Sequence, residues 1–127
     1  MANRYGEAAI LAAKQGATLG PNAAWEQALE RLYPTSPIAR KRGSARSAFL
    51  GLCEEGLVKD VPRGDYKAGK ENKAIAVRAA QLLLENTQKW SIGTLWQAAT
   101  GGGKAQDCQL DVVFALWKND LLAPPAA

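Results

Sequence analysis

Two stretches decide the fold: Ala48-Phe49-Leu50-Gly51-Leu52-Cys53-Glu54-Glu55-Gly56-Leu57-Val58 and Val112-Val113-Phe114-Ala115-Leu116-Trp117-Lys118-Asn119-Asp120-Leu121-Leu122. Laid over one another at an offset of 64 positions, from Ala48 to Val112, each shows an apolar run at helical spacing, one residue suited to left-handed backbone, and an apolar pair. Glycine enters the left-handed region without steric cost, and Asp tolerates it better than most residues. Gly56 and Asp120 are therefore read as the stops of two helices, with Leu57 and Leu121 folding back onto the helices they follow.

The correspondence extends backwards along the chain. Ala9, Ile10, Ala12 and Ala13 match Ala76, Val77, Ala79 and Ala80 at an offset of 67, and Trp25, Ala28, Leu29 and Leu32 fall on Ile92, Leu95, Trp96 and Ala99 at the same offset. Stripes at Ala45, Phe49, Leu52 and Cys53, at Ile75, Ala79, Leu82 and Leu83, and at Leu110, Val113, Phe114 and Trp117 complete six helical segments, and no comparable stretch alternates as a strand would. Asn22, Ser44, Ser91 and Asp107 stand where a short oxygen-bearing side chain can cap a helix start. Gly20-Pro21, Pro34 to Pro37, residues 60–69 and Gly101 to Gly103 break the pattern. The expected fold is all-α: one helical domain over 1–122, with about six helices in two pseudo-repeated three-helix halves, 1–59 and 70–122. The linker 60–69 is expected at the surface, with a short β-wing left open, and the Pro-rich tail 123–127 is expected to be loose.

Composition narrows the chemistry. With 127 residues, 47% hydrophobic and 22% charged, the chain can bury an ordinary core. No basic region leads into an apolar leader and no run of eighteen apolar residues occurs, so no membrane span is expected and the cytoplasm is the default compartment. Histidine is absent, and Cys53 and Cys108 belong to no CxxC or Cys/His spacing, so no metal site and no cofactor are expected. Gly101-Gly102-Gly103-Lys104 lacks the spacing of a phosphate loop and follows a helix, while Glu54-Glu55 are adjacent and suit solvation better than acid–base work. The chain is not expected to be an enzyme.

Around Ala48-Phe49-Leu50-Gly51-Leu52-Cys53-Glu54-Glu55-Gly56-Leu57-Val58-Lys59 the sequence resembles a family of small bacterial proteins without an assigned activity. Pro62-x-Gly64-x-Tyr66, Asn72-Lys73-Ala74 and Leu110-Asp111-Val112-Val113-Phe114-Ala115-Leu116-Trp117 look like further signatures of that family, so the similarity spans nearly the whole chain. Members often carry Cys-Pro and His-Asn pairs where this chain has Arg46-Ser47 and Asp107-Cys108. The resemblance implies a self-contained module and no reaction.

Charge marks one candidate surface. Residues 40–78 hold ten basic and five acidic side chains, for a net of +5 within a total of +4, so the excess sits in the middle third. The candidate residues are Arg40, Lys41, Arg42, Arg46, Lys59, Arg63, Tyr66 and Lys67. The favoured reading is a non-catalytic binding module for a protein partner or a second copy of the chain, because small helical domains without catalytic groups act by binding. Four tryptophans could anchor an interface, though Trp25, Trp96 and Trp117 are read as core and Trp90 as a staple for the helix after Ser91. The alternative is nucleic-acid binding through a helix-turn-helix-like unit. There the basic 40–46 segment leads into a recognition helix, and Lys59, Arg63 and Lys67 contact phosphates from the loop.

Overall fold

Helices account for most of residues 4–85, 88–102 and 107–124, which this computed structural model describes. In chain order they are α1 (Tyr5–Leu19), α2 (Pro21–Leu32), the single turn α3 (Pro37–Arg40), α4 (Gly43–Glu54), α5 (Lys70–Glu85), α6 (Ile92–Thr100) and α7 (Gln109–Lys118). The fold is all-α, and an isolated bridge between Val58 and Leu122 is the only extended pairing among the described residues. Gly103, Lys104 and residues 125–127 of the tail lie outside the described residues.

The helix starts follow local chemistry, not always the chemistry expected. Ser91 accepts from the Thr94 N–H while the Thr94 hydroxyl oxygen accepts from the Ser91 N–H, a reciprocal capping box. Ser36 caps α3 in the same way through the Ala39 N–H. Asn22, Ser44 and Asp107 are not caps. Gly20-Pro21 opens α2 ahead of Asn22, with proline's fixed φ at the first turn, and α4 starts at Gly43 ahead of Ser44. Asp107 lies before Cys108, the residue that flanks α7. The three polar side chains are thereby released for tertiary contacts. Asn22 accepts from Arg46 at 2.8 Å, and the Ser44 hydroxyl donates to Asp107 at 2.7 Å.

The stops at Gly56 and Asp120 form, with φ of 71° and 58°. Each closes a Schellman turn. Leu57 N–H donates to the Leu52 carbonyl and Gly56 N–H to that of Cys53; Leu121 N–H donates to Leu116 and Asp120 N–H to Trp117. Leu57 is fully buried, whereas Leu121 is half-buried against the core and Leu122 is the buried member of its pair. The two tails then meet. Lys59 N–H donates to the Leu121 carbonyl at 2.9 Å and Ala123 N–H to that of Leu57 at 2.8 Å, antiparallel about the Val58–Leu122 bridge. The Lys59 ammonium also pairs with the Asp120 carboxylate.

The halves do not close separately on themselves. α4 packs mainly on α5, α7 packs mainly on α1, and α4 and α7 also touch each other, so each third helix sits against the first helix of the other half. Buried side chains from α1, α2, α4, α5, α6 and α7 consequently share one cluster. At its centre, α4 buries every residue from Ser47 to Cys53, and Trp25 stacks on Phe49 with ring centroids 5.3 Å apart. Trp117, expected in the core, is 37% exposed: it lies in the last turn of α7, its ring T-shaped to that of Phe114.

Residues 60–69 form no β-wing. Three of their backbone donors are taken by α4 side chains instead of a partner strand: Tyr66 and Ala68 N–H donate to Glu54, and Gly69 N–H donates to Ser47. The linker is thereby laid back along α4, with Val61 buried against Gly16.

Two glycines make sharp tests of this packing. Gly56→Ala keeps its left-handed φ only at a steric cost, and should lower unfolding stability by about 1–2 kcal/mol in urea titrations. A Cβ at Gly51 would stand 2.9 Å from the Lys73 Cα, so Gly51→Ala must push α5 from α4 and should cost about 1–3 kcal/mol. Unchanged midpoints would contradict both assignments.

Candidate functional site

The eight residues of the charged surface do not gather into one patch. Arg42 pairs with Asp107 at 2.9 Å, tying the start of α4 to the approach to α7, and Arg46 is held by Asn22 of α2. At the other end of α4, Lys59 pairs with Asp120 and Arg63 lies 4.0 Å from Glu55. Lys67 pairs with Asp65 within its own turn. The Tyr66 hydroxyl donates to the Pro62 carbonyl, and its backbone is bound by Glu54 and Asn22. The Arg40 side chain reaches only the Pro34 carbonyl at 3.4 Å, and the Lys41 side chain has no hydrogen-bond or ion-pair partner among the described residues. Ile38, also on α3, is 83% exposed. Five of the ten basic side chains of residues 40–78, Arg42, Lys59, Arg63, Lys67 and Lys73, are engaged by carboxylates of the chain itself.

Glu54 is the buried node of that network, and adjacency to Glu55 concealed it. Its side chain is 8% exposed, with one carboxylate oxygen on the Lys73 ammonium at 2.9 Å and the other accepting from Tyr66 and Ala68 N–H. Burial, the largest single influence, pushes this carboxyl's pKa up. Lys73 and the two N–H groups together outweigh burial and hold it below the usual glutamate value. Lys73 also binds Glu55, so the pair expected to be solvated instead clamps α5 and the linker to α4. A comparable node lies at Asp107, which accepts from Ser44, Arg42 and the Cys108 thiol. Burial, and then the bond to Asp107, push the Cys108 pKa up to about 12, and burial raises Cys53 as well, so neither thiol is poised as a nucleophile. No group of three or more Cys, Asp or Glu side chains able to hold a metal ion occurs among the described residues, and no helix there is long and apolar enough to cross a membrane.

The sequence pattern did not single out the groove between α1 and α2. α1 buries small residues, Ala8, Ala9, Ala12, Ala13 and Gly16, against its neighbours and leaves the larger Ile10 and Leu11 only half-buried. Beside them run two adjoining cavities of about 400 and 310 Å³ that share Leu11 and Arg31. The larger has Leu11, Ala24 and Ala28 at its base and Lys14, Gln15, Gln27 and Arg31 at its rim. Among the described residues none of those four rim side chains has a hydrogen-bond or ion-pair partner. Periodicity assigned Ile10 to the core, because a stripe shows which residues are apolar and not which flank a gap.

The chain belongs to the family of unknown function DUF6979, whose model matches residues 2–123. No curated protein and no solved structure matches it.

Acid stability should report the Glu54 node. Its native pKa lies below the unfolded value, so the unfolded chain takes up the proton first as pH falls. The stabilisation is complete above the ordinary glutamate range and is lost as pH drops through it toward the native pKa. Urea midpoints measured from neutral to acid pH should fall in wild type and fall less steeply in Glu54→Gln, the remaining slope belonging to carboxylates such as Asp107. Parallel profiles would remove Glu54 from this role. Both cysteines should resist alkylation by iodoacetamide at neutral pH until urea unfolds the chain; a fast-reacting native thiol would contradict their burial.

Proposed function

We propose that this chain is a non-catalytic protein-interaction module that docks its partner in the groove between α1 and α2. The observation that carries the reading is a contrast in charge pairing. Arg4, Arg42, Lys59, Arg63, Lys67 and Lys73 have carboxylate partners within the chain; of the cations without one among the described residues, Lys14 and Arg31 share an apolar-floored cavity that no carboxylate lines, whereas the cavity of Lys70 and Arg78 also holds Glu55. A concave apolar strip rimmed by polar groups is the form that recognition sites take. The matching Schellman turns and the common 64- and 67-residue offsets support reading 1–59 and 70–122 as pseudo-repeats within one domain. The groove belongs to the first half.

The nucleic-acid alternative draws less support. A recognition helix needs an exposed face to enter a groove, and α4 buries seven consecutive residues, Ser47 to Cys53. Arg42, Lys59 and Arg63 would have to leave their carboxylates to reach phosphate.

Site-directed photo-crosslinking tests the docking reading. With a crosslinking residue in place of Gln27, the chain should form a discrete protein adduct in cells, abolished by Leu11→Asp, while the same residue at Lys67 should give none. A nuclease-sensitive adduct, or equal labelling at Gln27 and Lys67, would overturn it. A dimer-sized adduct would identify a second copy of the chain as the partner.

A further inference from the structure

The groove also restricts what can occupy it. Its walls are two α-helices whose backbone groups are bonded within the helices, so it presents no free N–H or C=O ladder to an extended chain. An occupant burying its backbone against Leu11, Ala24 and Ala28 must therefore satisfy its own backbone hydrogen bonds, which a helix does. The dimensions agree. From Glu7 to Gln15 the joined cavities follow α1 for eight residue steps, about 12 Å at 1.5 Å per step, which is roughly two turns of a helix laid alongside. Alanines at positions 24 and 28 let such a helix approach α2 closely, while Ile10 and Leu11 stand up from α1 as the larger apolar contacts.

Charge then selects the kind of helix. No carboxylate lines the larger cavity, and in the smaller one Glu7 is already engaged by Arg4 at 3.0 Å. Lys14 on α1 and Arg31 on α2 place a cation on each bank, and the Gln15 and Gln27 amides offer further donors. We propose that the α1–α2 groove receives an amphipathic helix of a partner protein, with small and aliphatic residues on its buried stripe and Glu or Asp flanking that stripe on both sides. The helix completes a three-helix layer with α1 and α2. This inference rests on the docking reading above and adds the chemistry of the partner.

The rim pairs are solvent-exposed and so fix register and sign more than they add affinity. Their effect is best read by swapping charge between the two sides. Three fluorescein-labelled peptides serve as probes in anisotropy titrations against the intact protein at low salt. The first is a Leu/Ala-striped helix flanked by Glu, the second has the same composition interrupted by two prolines, and the third carries Lys in place of every Glu. The Glu peptide should bind saturably, the proline version at least tenfold more weakly, and the Lys peptide more weakly as well. In Lys14→Glu/Arg31→Glu the preference should invert, the Glu peptide losing on the order of tenfold and the Lys peptide gaining. Circular dichroism of the variant should match wild type, since neither side chain has an internal partner. Equal binding of the helical and proline peptides, an unchanged preference in the double variant, or no saturable binding at millimolar peptide would each overturn the inference. A crosslinked partner at Gln27 alongside any of those results would leave the docking reading standing and remove only the acidic helix.

Discussion

The antiparallel pairing of the two post-helical tails is the constraint on which the rest of the structure depends. Lys59 N–H on Leu121 and Ala123 N–H on Leu57 can form only if α4 and α7 both stop in a left-handed residue and turn the chain the same way. Each backbone bond contributes only about 1 kcal/mol net, but either one left unmade beside the buried Leu57 and Val58 would strand a desolvated polar group at greater cost. Their larger consequence is geometric. Joined at their ends, α4 and α7 pack on each other, with α5 against α4 and α1 against α7.

Charge supports this arrangement more than it decorates the surface. Glu54 gathers the linker's N–H groups and the Lys73 ammonium from one side of α4, and Asp107 gathers Ser44 and Arg42 from its start. Both are ties between segments distant in sequence, and both leave the cations they use less available to an outside anion. Half of the basic side chains in the middle third are thus paired within the chain, and the groove with Lys14 and Arg31 lies outside that third.

Much of the fold was legible from sequence because helices are local. The stripes at Leu82 and Leu83 and at Leu110, Val113 and Phe114 are buried as their spacing requires, and the stops at Gly56 and Asp120 follow from the one backbone region that glycine enters freely and Asp tolerates. What escaped was tertiary. Asn22, Ser44 and Asp107 look like caps, and only the folded chain shows that they face Arg46, Tyr66 and one another instead. Glu54 and Glu55 look like a solvated pair until Lys73 arrives from a helix beyond the linker. The groove was hidden for the same reason: apolar spacing groups Ile10 with Ala9, Ala12 and Ala13, and nothing local says that the alanines go inward while Ile10 is left at the edge of a gap.

Native-state hydrogen exchange at the Lys59 and Ala123 amides tests the central claim most directly. If the paired tails lock α4 and α7 into one cooperative unit, both amides should open only with global unfolding, with the same free energy as core amides of α4 such as Leu50 and the same denaturant dependence. Exchange of Lys59 and Ala123 at the low free energy of a fraying terminus, while Leu50 stays protected, would show that the fold stands without the pairing and would contradict this account.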